Sequence, residues 1–176
     1  MSGKNNSQTE PASESISPHV ISIDTDKIIW DQFYSVHPLV IVGTKEKDKR
    51  YNLSPKHMIT PMGWTSNTFG FITYPTHHTY KNLKNHAFFT VSYPRPTQVV
   101  LTSLTASQRQ HDDSKPNLMA LPTRKAATID ALFLKESYIQ LECEVDRVID
   151  DIGENSFVTG KVVAAYANPN LLVEKN

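Results

Sequence analysis

The chain has 176 residues, which is enough for one domain of ordinary size. Its 18 Lys and Arg residues balance its 18 Asp and Glu residues, so the net charge favours neither nucleic acid nor an anionic membrane as a partner. No secretory signal or membrane-spanning apolar run is found and the one cysteine cannot form an internal disulfide, so the sequence predicts a cytoplasmic protein.

The N-terminal segment differs in composition from the rest of the chain. Residues 1–18 are mostly Ser, Asn, Gln, Glu and Pro, with almost no large apolar side chain. Such a segment cannot bury enough surface to offset the entropy of ordering, so it is predicted to be a disordered tail. Residues 19–176 are predicted to form the folded domain.

Two strands and a turn are predicted next. Residues 39–42 are consecutive apolar residues, typical of a short buried strand. The charged run 45–50 is predicted to be a solvated turn that leads to a second strand around residues 51–52. Ser54 and Pro55 are typical of a helix cap and a first helical residue, so a brief helix is predicted there.

The middle of the chain predicts two strands that flank a helix. Residues 68–74 are rich in aromatic and β-branched side chains and end at a proline, which favours a strand. Residues 79–85 are predicted to form a two-turn helix capped by Thr79, and residues 88–91 to form the strand after it.

A further helix is predicted to open at Pro96. Its apolar face is expected to contain Val99, Val100, Ser103 and Leu104. Residues 111–117 are polar and are predicted to form a loop.

The C-terminal part gives the clearest periodic pattern. Between residues 139 and 146 apolar side chains, including that of Cys143, alternate with polar ones, which predicts a strand with a buried face and a wet face. Residues 150–155 are typical of a turn, and residues 157–166 should pair with the first strand as a long hairpin. Strands outnumber short helices, so a mainly β fold is predicted: an antiparallel barrel with short peripheral helices.

Common nucleotide and metal motifs are not found. The six dispersed glycines form neither a G-x-G-x-x-G fingerprint nor a P-loop. The adjacent His77 and His78 would point to opposite sides of an extended chain, so no metal site is predicted. A serine hydrolase would lack the G-x-S-x-G elbow.

Several segments together resemble the flavin reductase-like family, an FMN-binding split-barrel family. The likeness rests on the order and spacing of four segments: Tyr51-Asn52-Leu53-Ser54-Pro55, residues 71–73, residues 79–83 and residues 88–94. It extends over residues 38–165 and includes the paired C-terminal strands. The resemblance implies an antiparallel Greek-key split β-barrel that binds FMN.

The resemblance also assigns residues to the cofactor. They are Asn52, Ser54, Thr60, Phe71, Thr73, His78, Thr79, Lys81 and Asn82. Thr79, Lys81 and Asn82 are the phosphate candidates, because a helix N-terminus with a hydroxyl favours an anion. The alternative for Thr79 is an ordinary helix cap. Many relatives carry Arg or Lys where this chain has His77 and His78, so the resemblance leaves the charge partner of the phosphate unnamed.

The resemblance implies an oxidoreductase in which FMN passes a hydride or electrons from NADH or NADPH to an unidentified acceptor. No catalytic acid or base is then required of the protein, and a homodimer with FMN at the subunit interface is implied. Two alternatives stay open. One is a non-catalytic flavoprotein that stores FMN or carries electrons. The other is a cofactor-free barrel that stacks single-stranded nucleic acid, which the neutral charge disfavours.

Overall fold

The computed structural model describes residues 20–63 and 65–173. The tail predicted for residues 1–18 lies outside the described residues. The chain divides into two units, Met1–Val36 and His37–Asn176. In the first unit, residues 20–36 contain turns but no helix or strand. The site discussed below lies in the second unit.

The second unit is mainly β structure. Its strands are β1 (Val40–Lys45), β2 (Tyr51–Lys56), β3 (Ile59–Met62), β4 (Thr68–Thr73), β5 (Phe88–Tyr93), β6 (Thr123–Lys125), β7 (Leu132–Leu134), β8 (Ile139–Ile152) and β9 (Asn155–Ala167). Its α-helices are α1 (His78–Asn85) and α2 (Val99–Leu104), and Pro96–Gln98, Pro116–Ala120 and Pro169–Leu171 are 3₁₀ helices. None of the helices in the described part of the chain is long and apolar enough to cross a membrane.

Seven strands form one antiparallel sheet in the order β2-β1-β5-β8-β9-β4-β3, and β6 pairs with β7 in a separate hairpin. Strands β2 and β3 lie at opposite edges of the large sheet, yet only His57 and Met58 separate them in the chain. The sheet must therefore curl until its two edges approach each other. This arrangement confirms the predicted mainly β, antiparallel split-barrel fold with short helices.

The main core lies inside the curl. Phe71 and Phe89 pack there edge to face, with ring centroids 5.2 Å apart, and Leu83 of α1 closes one end. Cys143 is fully buried in the same cluster, as predicted. Burial of these side chains is the main favourable term in folding. A second cluster, on the other face of β1 and β2, includes Ile41 and Leu53.

The hairpins agree with the sequence predictions. Residues 46–50 connect β1 to β2, and a turn at Gly153 connects β8 to β9. Gly153 has φ +58°, a left-handed conformation that glycine adopts at no steric cost. The loop predicted over residues 111–117 is found at 111–115, but residues 116 and 117 begin a 3₁₀ helix. Strand β3 and the β6–β7 hairpin were not predicted.

The brief helix predicted at Ser54 and Pro55 was wrong, because both residues lie within β2. Strand β2 is at the edge of the sheet and pairs with a neighbour on one side only. A proline is tolerated in such a strand because its missing N–H can face the unpaired side. The capping pattern of Ser-Pro is therefore overridden by pairing with β1.

The face predicted for the helix after Pro96 was only partly right, since of its predicted members Leu104 packs against the core. Val99 and Val100 of α2 are 65% and 68% exposed, while Thr102 is buried. Leu101 and Leu104 contact the second core cluster, so α2 is rotated from the predicted orientation.

Strand β8 is confirmed, but the face predicted to be exposed to solvent is only partly exposed. Gln140 and Glu142 are buried, because the segment before β7 and the ring of Tyr166 cover them. Glu144 is exposed, as the alternation predicts.

Candidate functional site

Strand β2 carries polar side chains on the inner face of the sheet. Residues two apart on a strand share a face, so Asn52, Ser54 and Lys56 point the same way. In the register with β1 they lie opposite Thr44, Val42 and Val40, respectively. Val40 and Val42 belong to the main core, so this polar row faces into the curl beside α1.

Helix α1 is anchored to this row through Asn82. Its Nδ2 donates to Thr44 Oγ1 at 2.9 Å, and both residues are buried. Thr44 in turn lies opposite Asn52 in the β1–β2 register. The structure therefore brings two of the predicted cofactor residues, Asn52 and Asn82, to either side of one threonine.

The N-terminus of α1 has donors without acceptors. The N-cap is His77, in an extended conformation and without a side-chain capping hydrogen bond, so the prediction that Thr79 caps the helix was wrong. Thr79 is instead the second helical residue and is only 1% exposed. Among the described residues no acceptor is found for the Thr79 hydroxyl or for the amides of His78, Thr79 and Tyr80. The first amides of any helix lack intrahelical acceptors, but Thr79 is buried, and a buried hydroxyl is normally paired, so this end of α1 points to a ligand.

The end of β4 adds another such group. Ile72 N–H donates to Met58 O at 2.9 Å, which places the end of β4 beside the corner between β2 and β3. The next residue, Thr73, faces inward and is buried. Its Oγ1 has no hydrogen-bond partner in the described part of the chain.

Lys56 ends the polar row of β2 and is only 8% exposed. Its ammonium donates to Ser54 Oγ at 3.3 Å, and among the described residues no carboxylate oxygen lies within 4.0 Å of it. Burial lowers the pKa of Lys56 to about 8. A buried cation normally has an anionic partner that stabilises it, and the described residues provide none for Lys56.

The two histidines beside the helix start experience the same positive surroundings. Burial, followed by the charges of Lys56 and His78, lowers the pKa of His77. Burial and then the Arg109 guanidinium lower the pKa of His78, although His78 Nε2 lies 3.2 Å from Asp113 Oδ1. Both rings are therefore disfavoured as cations at neutral pH.

Arg109 is a site residue that the sequence did not indicate. It forms an ion pair with buried Glu46, and its Nη2 lies 3.4 Å from Asn52 Oδ1. Its charge is thus largely neutralised within the chain. Arg109 and Glu46 also border a 460 Å³ cavity on the opposite face of β2, which is lined mainly by apolar side chains such as Leu53 and Leu118.

The structure brings together most, but not all, of the predicted cofactor residues. Those at the junction of α1 with the inner face of β2 and the end of β4 are Asn52, Ser54, Thr73, His78, Thr79 and Asn82, and we call this group, with Lys56, the α1–β2 cluster. Lys81 lies on the exposed side of α1 beside a small polar cavity of 210 Å³. Phe71 is inside the main core, and Thr60 is exposed on β3 with its hydroxyl bonded to Pro61 O at 2.8 Å.

Sequence reasoning missed Lys56, although the sequence contained the signal. The spacing of Asn52, Ser54 and Lys56 is the two-residue period of a strand face. The Ser-Pro pair was interpreted as a helix start, and that interpretation hid the alternation.

Comparison with known proteins identifies relatives of this fold. A model of the flavin reductase like domain matches residues 34–175. Among solved structures, nitrilotriacetate monooxygenase component B from Bacillus cereus superimposes with a TM-score of 0.76 at 18% identity, over 90% of this chain and 86% of that chain.

Two further solved structures have the same fold. Flavoredoxin from Methanosarcina acetivorans gives a TM-score of 0.70 at 19% identity, over 88% of this chain and 78% of that chain. An NADH:FAD oxidoreductase from Streptomyces globisporus gives 0.67 at 14% identity, over 76% and 77%. At these identities the likeness establishes the fold.

Proposed function

Because this chain belongs to the flavin reductase-like family, we propose that it binds FMN at the α1–β2 cluster and passes electrons from NADH or NADPH through the flavin to an acceptor. The observation that carries the proposal is the set of donors around the start of α1, two of them on the buried residues Thr73 and Thr79, for which the described residues offer no acceptor. These are the Thr79 and Thr73 hydroxyls and the first amides of the helix.

These donors fit the chemistry of a phosphate. A phosphate dianion accepts several hydrogen bonds at once, and the dipole of an α-helix favours negative charge at its N-terminus. Charge-assisted hydrogen bonds to such an anion are among the strong ones in proteins. In this proposal Thr79, with the neighbouring amides, and Thr73 hold the phosphate.

Asn52 and Ser54 are proposed to contact the ribityl chain or the edge of the flavin ring, since they continue along the inner face of β2. Bound flavin supplies the hydride and electron transfer, while the protein supplies binding and orientation. Thr60 and Phe71 lie apart from this cluster and are left out of the proposed site.

FMN, rather than FAD, is our proposal for the flavin, although one structural neighbour carries FAD in its name. FMN ends at a single terminal phosphate, and the α1–β2 cluster offers one compact group of phosphate donors. The choice is tested by titrating the protein with both flavins.

The second candidate function is that of an electron carrier, which the similarity to a flavoredoxin favours. A carrier would hold flavin but would not accept a hydride from nicotinamide. Anaerobic mixing of the flavin-loaded protein with NADH and with NADPH separates the two functions. Bleaching of the flavin band by either nucleotide supports the reductase. If neither nucleotide bleaches the flavin, the carrier is supported.

We also propose a homodimer, because a flavin bound at the edges of a split barrel would otherwise be open to water. Sedimentation of the flavin-loaded protein should give the mass of two chains. A monomer that still binds FMN tightly would contradict this proposal. The cytoplasmic location expected from the sequence stays a prediction.

A further inference from the structure

Lys56 is a buried charge whose partner the described residues do not provide. Its one hydrogen bond, to Ser54 Oγ at 3.3 Å, is to a neutral hydroxyl. Burying an ammonium without an anion is costly, and a protein normally avoids it by pairing the charge. The position of Lys56 therefore calls for a negatively charged group from outside the chain.

The location of Lys56 indicates what that group is. Its charge is among the causes that lower the pKa of His77, the N-cap of α1, and β2 packs against that helix. Thr73, with its unpaired buried hydroxyl, ends the strand that reaches the same corner. Strand β2, which carries Lys56, thus packs against both α1 and β4, the strand that ends at Thr73.

Of the other cations near this place, Arg109 and Lys115 are already engaged, and Lys81 lies on the exposed side of α1. Arg109 pairs with Glu46, and its second nitrogen, Nη1, lies 3.7 Å from Asp113 Oδ1. Lys115 donates to Leu53 O at 3.1 Å and to Thr105 O. The histidines are disfavoured as cations, as described above.

We propose that the Lys56 ammonium is the charge partner of the flavin phosphate, in the role that relatives give to Arg or Lys at the positions of His77 and His78. This inference rests on the proposed function, because it requires FMN at the α1–β2 cluster. It assigns to the site a residue that the sequence predictions did not include.

The test compares affinities for FMN and for riboflavin, which lacks the phosphate, in wild type and in Lys56→Met. Methionine keeps the length of the side chain and removes the charge. FMN affinity should fall roughly ten- to a hundredfold, while riboflavin affinity stays within about threefold. Without ligand the variant should melt at the wild-type temperature or above it, since an unpaired buried charge is removed.

Lys115→Met is the matched control. Lys115 is a partly buried lysine whose ammonium contacts the backbone of β2. Its pKa is also lowered to about 8, first by burial and then by the charges of Arg109 and Lys56. Its ammonium, however, is held by two carbonyl oxygens. Its loss should lower thermal stability and leave the ratio of FMN to riboflavin affinity unchanged.

The pH profile gives a second readout. Deprotonation of Lys56 removes its attraction for the phosphate, so the FMN-to-riboflavin ratio should fall as pH rises from 7 to 9.5, with Lys56 near 8 in the free protein. Among the described residues, the titratable groups on which the charge of Lys56 acts are His77 and Lys115, and of these Lys115 also has a pKa of about 8. The fall should vanish in Lys56→Met and persist in Lys115→Met.

The outcomes separate the inference from the proposed function. If wild type prefers FMN and Lys56→Met keeps that preference, or loses affinity for both flavins equally, the role of Lys56 is wrong and the proposed site stands. If wild type binds both flavins equally, the phosphate site itself is wrong. Should Lys56→Met fail to fold, Lys56→Arg against Lys56→Gln gives the same comparison, and arginine should retain the preference.

Discussion

Two regions of the molecule each bury a charged side chain, and they treat it in opposite ways. Glu142 on β8 is fully buried, and its carboxylate accepts hydrogen bonds from the Ala127 amide (2.8 Å), the Thr128 amide (2.7 Å), Thr128 Oγ1 (2.6 Å) and the Tyr166 hydroxyl (3.0 Å). Among the described residues, Lys56 on β2 has a single partner, which is neutral. A buried charge whose hydrogen bonds are all satisfied stabilises the fold. A buried charge that lacks partners lowers the stability of the folded protein until a ligand binds.

The pKa values follow this contrast. Burial alone would raise the pKa of Glu142, but the hydrogen bonds from Thr128, Ala127 and Tyr166 outweigh it and the pKa is lowered. For Lys56 no such compensation exists, and burial lowers its pKa to about 8. In one region the chain supports the charged form, and in the other it opposes it.

The largest expected effect is at Glu142. Changing Glu142 to Ala leaves several buried donors without an acceptor, so the free energy of unfolding should fall by about 2–4 kcal/mol. Urea unfolding measures this loss. The ratio of FMN to riboflavin affinity should stay at the wild-type value, because Glu142 is assigned to structure.

The same residue predicts a dependence on pH. Because its folded-state pKa lies below the ordinary 4.5, its contribution is present above pH 4.5 and is lost as pH falls through the folded value. Glu142→Gln should therefore flatten the loss of stability in acid. An acid unfolding curve with the wild-type slope would show that Glu142 contributes nothing through its charge.

The next effect is at Thr79, in the unsaturated region. Thr79→Val removes a hydroxyl proposed to donate to phosphate, a bond worth about 1.5–3 kcal/mol, so FMN affinity should fall roughly ten- to a hundredfold. Riboflavin affinity should barely change. Fluorescence titration with the two flavins measures both.

Thr102→Val is the control for this prediction. Thr102 is also a buried helical threonine, but its Oγ1 donates to Gln98 O at 2.9 Å. That variant should lose stability and keep the flavin preference. If Thr79→Val behaves in the same way, the phosphate has been assigned to the wrong place.

The smallest effect is at Thr73. Its hydroxyl has no partner in the described chain, so Thr73→Val should leave the melting temperature of the ligand-free protein unchanged or raised, and should weaken FMN about fivefold. Thr90→Val is the matched strand variant, because Thr90 Oγ1 donates to Leu132 O at 2.6 Å. It should cost about 1 kcal/mol of stability. Equal destabilisation by both changes would remove Thr73 from the site.

The sequence predicted the strands whose patterns were local and strong. The alternation around Cys143 predicted β8, and the charged run predicted the turn between β1 and β2. Both patterns suffice because strand period and turn preferences depend on only a few neighbouring residues. Pro55 misled the prediction, since only the position of β2 at the sheet edge makes a proline acceptable there. Edge positions depend on long-range pairing, which local patterns do not specify.

Some residues of the candidate site were predicted from the sequence and others were not. Asn52, Thr79 and Asn82 were found through the order of motifs, and the structure places them around α1 and β2. Phe71 was assigned to the flavin through the family resemblance, and the structure places it on the inward face of β4, in the core. Lys56 was hidden by the interpretation of Ser54 and Pro55 as a helix start, and Arg109 became visible only when tertiary contacts showed which charges are paired.

The central claim is that the donors left unpaired around α1 hold the phosphate of a flavin. Equilibrium titration of the wild-type protein with FMN and with riboflavin at pH 7 tests it most directly, because the two ligands differ only in that phosphate. We expect FMN to bind at least about tenfold more tightly, in line with charge-assisted hydrogen bonds to a dianion. Equal affinity for the two flavins would contradict the claim.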